Sequence, residues 1–171
     1  MCSSDLRSSS STSNESWHAI FSDVQSVAPS IPVTGSHTYT LAGGTLPTDT
    51  NGYTASVVPA ATLSADFSKQ VVHVTIPSFD LKDSAGAVKS TWSAATAAGG
   101  VPIVRGAYFS ASTGDGNLTV TSSVSGAVAG QLAGAFVGDF NASNAGALLG
   151  FSLNAGSVAG TTGATGTTVS G

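Results

Sequence analysis

From Leu118 to Phe140 the chain keeps a period of two. The even series holds Leu118, Val120, Ser122, Val124, Val128, Leu132, Phe136 and Phe140, with Gly126, Gly130, Gly134 and Gly138 between them. The odd series holds Thr119, Thr121, Ser123, Ser125, Ala127, Ala129, Gln131, Ala133, Ala135, Val137 and Asp139. Successive strand residues point to opposite faces, so one face is apolar and the other polar or small. The run is too long for one strand and predicts two in succession. Large residues alternate with glycine on the apolar face, as in the tapering interior of a small barrel.

The glycines recur every four residues, which also matches the contact face of paired membrane helices. Drift separates the two readings. At about 100° per residue, each step of four advances about 40° around a helix, so the companion series from Val120 to Phe140 would hold no fixed face. In a strand it stays on one side. Gly130 and Gly134 are therefore expected to face the interior beside Leu132 and Phe136, with Gln131 and Ala133 outward.

Outside this run, turn chemistry divides the chain. His37-Thr-Tyr39-Thr-Leu41 is rich in strand formers, and Pro47 to Gly52 is turn-like. Leu63, Ala65 and Phe67 share a face, Ser68-Lys69 turns the chain, and Val72, Val74 and Ile76 return. Pro77 breaks that ladder and moves the apolar set to Phe79 and Leu81, which predicts a bulge. Asp83 to Gly86 is a turn, Thr91 to Ala95 and Ile103 to Ala111 are strand candidates, and Asp115-Gly116 signals a hairpin. Asn141 to Gly146 turns the chain into Leu149, Phe151 and Leu153, and Trp17 to Val27 reads as an edge strand or a short helical turn.

The expected fold is all-β: one small antiparallel up-and-down β-barrel of about eight strands over 17–156, because closure removes edges that a charge-poor sheet cannot protect. Residues 1–16 read as a disordered Ser-rich linker and 157–171 as a disordered Gly/Thr tail. Met1 to Leu6 matches what a GTG start and a common sequencing adapter would encode, so these six are expected to be foreign. The rival reading makes Cys2 a lipidated first residue before a tether.

Charged residues are 8% of the chain and the net charge is −4, with Arg7, Lys69, Lys82, Lys89 and Arg105 spread singly. No basic patch exists for a nucleic acid. The single cysteine excludes an internal disulfide and a cysteine-built metal site.

The stretches Pro32 to Asp49, Ala61 to Phe67 running into Val71, and Gly126 to Leu153 with Gly134-Ala-Phe136-Val-Gly138 resemble the C-terminal β-barrel of FecR-type proteins of the iron-dicitrate-sensor group. That barrel is itself similar to those of transferrin-binding surface lipoproteins. Asp139 stands where the family often has proline, and an extra residue precedes Ala142. The resemblance implies an envelope or surface barrel module from the C-terminal part of a larger protein, and implies neither iron nor transferrin binding.

No constellation for chemistry emerges. His18, His37 and His73 lack a second His or Cys ligand at metal-binding spacing, Asp80 and Asp83 lie near a turn, and Asp115 to Asn117 lacks the further carboxylates of a calcium loop. No Gly-x-Ser-x-Gly occurs. Asn14, Asn117 and Asn141 open glycosylation sequons by pattern and read as turn residues. Trp92, Arg105 and Tyr108 are the candidate recognition surface, since an aromatic and a cation near strand ends can anchor a protein or glycan. Tyr108 and Phe109 must face opposite sides.

The expectation is a non-catalytic binding or structural module of a Gram-negative cell envelope or exterior, without catalytic residues, cofactor or metal. Its expected partner is an envelope or host protein or a glycan, and membrane association would come through a lipid anchor or an N-terminal region. The alternatives are an eight-stranded outer-membrane barrel, which needs an outward apolar band, and a secreted hydrolase with a dispersed Ser/His/Asp site.

Overall fold

The computed structural model describes residues 2–10, 13–21, 31–105, 107–140, 145–156 and 167–171. Every element among them is a strand: β1 (Cys2–Ser10), β2 (Ser13–Phe21), β3 (Ser36–Thr40), β4 (Thr48–Asp49), β5 (Thr54–Ala55), β6 (Thr62–Asp66), β7 (Val71–Lys82), β8 (Val88–Thr96), β9 (Val101–Pro102), β10 (Tyr108–Ser112), β11 (Leu118–Ser122), β12 (Val128–Val137), β13 (Gly146–Ala155) and β14 (Thr167–Ser170). All ladders are antiparallel. β1 and β2 form a separate two-stranded sheet, and the other strands form one sheet ordered β10-β12-β13-β14-β4-β5-β7-β6-β3, with β8 and β9 on the other side of β7 and β11 beyond β8.

This sheet curls around one core. Leu63, Phe67, Val72, Ile76, Trp92, Val101, Phe109, Leu118, Leu132, Phe136 and Leu153 belong to a single buried cluster. Outward positions are short and polar, such as Thr75, Ser93, Ser110, Thr119, Thr121 and Gln131. Among the described residues these positions form no apolar band.

The long alternation falls on β11 and β12 as two strands, with Leu118, Val120, Leu132 and Phe136 buried and Thr119, Thr121, Gln131 and Ala133 exposed. Gly130 and Gly134 face inward. A Cβ on Gly130 would lie 2.8 Å from Leu153 Cδ2 and 2.9 Å from Val120 Cγ2, and one on Gly134 would meet the Phe109 ring and the Leu148 carbonyl. Gly126 and Gly138 take another role. At φ of 113° and 82° they turn the chain at either end of β12.

Several turns form as read. Ser68-Lys69 joins β6 to β7, where Asp66 accepts from the Lys69 N–H at 3.0 Å, and Asp83 joins β7 to β8, accepting from the N–H groups of Ala85 and Ala87. Pro77 sits at a bulge: the β7–β8 register slips between Ile76 and Phe79.

Pairing partners differ more. The Asp115-Gly116 turn is not a hairpin, since β10 pairs with β12 and β11 with β8. Asp115 bonds Ser112 and Asn117 caps the Ser112 N–H, so the chain reverses locally, while the Thr113 N–H bonds Gly130 and the Ala97 N–H bonds Asn117 across the fold. Local turn chemistry sets a reversal without choosing the neighbour. Ile103 to Ala111 is likewise broken: Arg105, at φ 51°, turns the chain, and Val104 bridges back to Tyr108. The order is thus not a simple meander, and among the described residues no ladder closes the path into a barrel.

The terminal segments take part in pairing. Within the region assigned to a linker, β1 pairs with β2, which needs backbone groups but no apolar side chains. Residues 22–30, the remainder of the Trp17 to Val27 candidate, lie outside the described residues. So do 141–144 of the Asn141 turn and 157–166 of the Gly/Thr segment. Thr167–Ser170 form β14, inserted between β13 and β4, and Gly171 exchanges both backbone hydrogen bonds with Phe151. Ending the chain at Gly156 is therefore expected to lower the urea midpoint, because Ser152 to Ala155 and Asp49 lose a partner strand. An unchanged midpoint would show that β14 contributes nothing.

One end of the core is aromatic. Phe136 lies 5.5 Å from Phe67, 5.7 Å from Phe109, 5.8 Å from Tyr39 and 6.3 Å from Phe140 between ring centroids, within the range of favourable ring pairs. The Tyr39 hydroxyl is buried there with no hydrogen-bond partner. Burial pushes its pKa up to about 12 from an ordinary 10.0. The folded chain thus keeps a proton that the unfolded chain releases, so stability is full below pH 10.0 and falls as pH rises through about 12. Ultraviolet titration is expected to show one late tyrosine, absent in Tyr39→Phe. That variant should be as stable as the parent or more so, because the lost hydroxyl made no bond. A titration with no late step that Tyr39→Phe removes would contradict this.

Candidate functional site

The three sequence-selected surface residues separate in the structure. Trp92 is 1% exposed: it lies on the inward face of β8, and its Nε1–H donates to Ser90 Oγ at 2.9 Å, so its polar edge is satisfied inside. Period two on β8 puts Trp92 with Ala94 and Ser90 on the core side, which removes it from any recognition surface. Arg105 and Tyr108 are exposed and close together across the Val104 turn, and Phe109 is the buried member of its pair. His37 stacks edge-on against Tyr39 at 4.6 Å, and the His73 ring lies over Gly100. Among the described residues no group of three His, Cys, Asp or Glu could hold a metal ion.

A different feature stands out. The chain leaves the sheet after β5 and returns at β6, and the connection 56–61 stands off the bulged part of β7. Between them lies a groove of about 420 Å³ walled by Val57, Val58, Pro59, Pro77, Phe79 and Lys82. Val57 is 69% exposed, whereas Phe79 is nearly buried and gives the groove an aromatic floor. Pro59 in the connection and Pro77 in the bulge cannot donate to a ladder, so both keep the two segments from zipping together.

Two charged residues, Asp80 and Lys82, line this groove. Asp80 accepts from the Thr91 hydroxyl at 2.6 Å. Lys89 lies 2.9 Å from Asp83 and 6.0 Å above the Tyr53 ring. The Lys89 ammonium, then the Ala87 N–H, holds the Asp83 carboxyl below the usual carboxylate range, and Asp83 in turn raises the pKa of Lys89. Among the described residues Lys82 pairs with no carboxylate, so its charge remains available at the end of the groove.

Nothing in the sequence flagged this groove as a site. Pro77 signalled its bulge, but the wall facing it comes from a connection whose path depends on which strands β5 and β6 choose. Among the described residues its lining is mostly apolar, with Ser56, Ser78, Asp80 and Lys82 as the polar members, a makeup that suits holding a ligand. No family model, no curated protein and no solved structure matches the chain.

Proposed function

We propose that this chain is a non-catalytic binding or structural module of a bacterial cell envelope or exterior, with the groove beside β7 as its binding face. The observation that carries the reading is the pairing of a many-stranded antiparallel framework with a concave, mostly apolar strip that no other described strand covers. Ligand sites are concave and mostly apolar, with few polar groups, and rigid β-frameworks present them well. A charge-poor surface of Ser, Thr, Ala and Gly fits an extracytoplasmic β-protein, and the FecR-type barrel resemblance points the same way. Thr, Ser and Gln on the outward positions suit water on that side.

The test joins an esterase and glycosidase panel to cell fractionation of the source bacterium. The reading expects no turnover above a heat-denatured control and recovery in the envelope or the medium. Turnover lost on mutating one Ser, His or Asp, or recovery in the cytoplasm, would overturn it.

A further inference from the structure

The side of β7 that faces the groove is an incomplete strand edge. β6 pairs with Val71 to Thr75 and β5 with Leu81 and Lys82, so among the described residues Ile76 to Asp80 have no neighbouring strand on that side. The direction of the Asp80 main chain follows from its neighbours. Thr91, opposite Asp80, turns both backbone groups away from β7: its N–H donates to Ser123 Oγ at 2.9 Å, and its C=O accepts from the Ser123 N–H at 3.0 Å. Asp80 and Thr91 are thus a non-hydrogen-bonded pair, and Asp80 directs its own N–H and C=O the other way. Thr54 gives the same answer from the far side. Its neighbours bond β4, through Tyr53 C=O at 3.0 Å and Ala55 N–H at 2.9 Å, so Thr54 turns to Lys82, two residues beyond Asp80. Asp80 therefore offers a donor and an acceptor into the groove, and among the described residues no backbone hydrogen bond joins 56–60 to 77–80.

Resting on the reading of this groove as the binding face, we propose that it takes an extended peptide segment as a short added strand on β7, with an apolar side chain against Val57 and Phe79 and a carboxylate on Lys82. Strand addition draws affinity from main-chain hydrogen bonds and specificity from alternate side chains. A peptide alone supplies both an N–H and a C=O in register with Asp80. A glycan lacks that register.

The test is an amide-resolved NMR titration with acetyl-Val-Thr-Val-Glu, its lysine-amide counterpart and a version N-methylated at the central residues. The proposal expects shifts confined to 55–60 and 77–82, and slowed exchange at the Asp80 amide. It expects about fivefold weaker binding of the cationic peptide, an inverted preference in Lys82→Glu, and loss of binding on N-methylation. No shift at millimolar peptide, shifts elsewhere, indifference to N-methylation, or concentration-dependent dimerisation that covers the groove would each overturn it. Binding of a glycan at another face, with the peptide failing, would remove this inference and leave the module reading intact. Enzymatic turnover would remove the module reading without altering the peptide result.

Discussion

Gly134→Ala is expected to cost about 1–3 kcal/mol in urea unfolding, whereas Gln131→Val, three residues away on the same strand, should stay within about 0.5 kcal/mol. Gly134 lies in β12 between two partners, opposite Phe109 of β10 and Leu149 of β13. The Phe109 ring, 1% exposed, lies across the space a side chain would take. The ring alone could shift. The Leu148 carbonyl, which a Cβ would also meet, belongs to the sheet backbone and cannot move without disturbing the β12–β13 ladder. The glycine makes room for the aromatic, and the aromatic covers the glycine. Gln131 points to water, so exchanging it for valine changes neither packing nor pairing. Equal, mild effects at both positions would mean that the strand has no fixed inner face.

Phe136→Ala should cost about 3–5 kcal/mol, the largest effect of any single truncation considered. Phe136 is 2% exposed and, among the described residues, is the one ring in contact with all of Tyr39, Phe67, Phe109 and Phe140. These come from β3, the β6–β7 turn, β10 and the connection after β12, so removing the ring opens a cavity that no single element can close. Stability that small domains can lose is of this size, and a chain that no longer unfolds cooperatively would satisfy the expectation as well. A loss below about 1 kcal/mol in urea would show that the aromatic end collapses freely and that Phe136 does not hold these elements together.

What the sequence disclosed follows a physical divide. Features set by neighbours along the chain were legible: the two faces of β11 and β12, the inward Gly130 and Gly134, the bulge at Pro77 and the turns at Ser68 and Asp83. Features set by partners far away were not. Asp115-Gly116 carries hairpin chemistry, yet its flanking strands pair elsewhere, β10 with β12 and β11 with β8. Thr167–Ser170 is rich in glycine neighbours and has little to bury, yet a backbone ladder between β13 and β4 needs only its N–H and C=O groups. Trp92 showed the limit for sites. An aromatic in a strand looks the same on either face until the register of β8 against β7 is known. The groove was hidden for the same reason, being a gap between two pairings and not a motif.

The most direct measurement is residue-resolved amide hydrogen exchange on the free protein. The account predicts slow exchange across Gln131 to Ala135, which β10 and β13 flank on both sides, and at Phe79 and Leu81, which bond β8. It predicts fast exchange at Asp80, between two protected neighbours. An Asp80 amide as slow as those of Phe79 and Leu81 would contradict the account, because the edge of β7 would then already be covered by the chain itself.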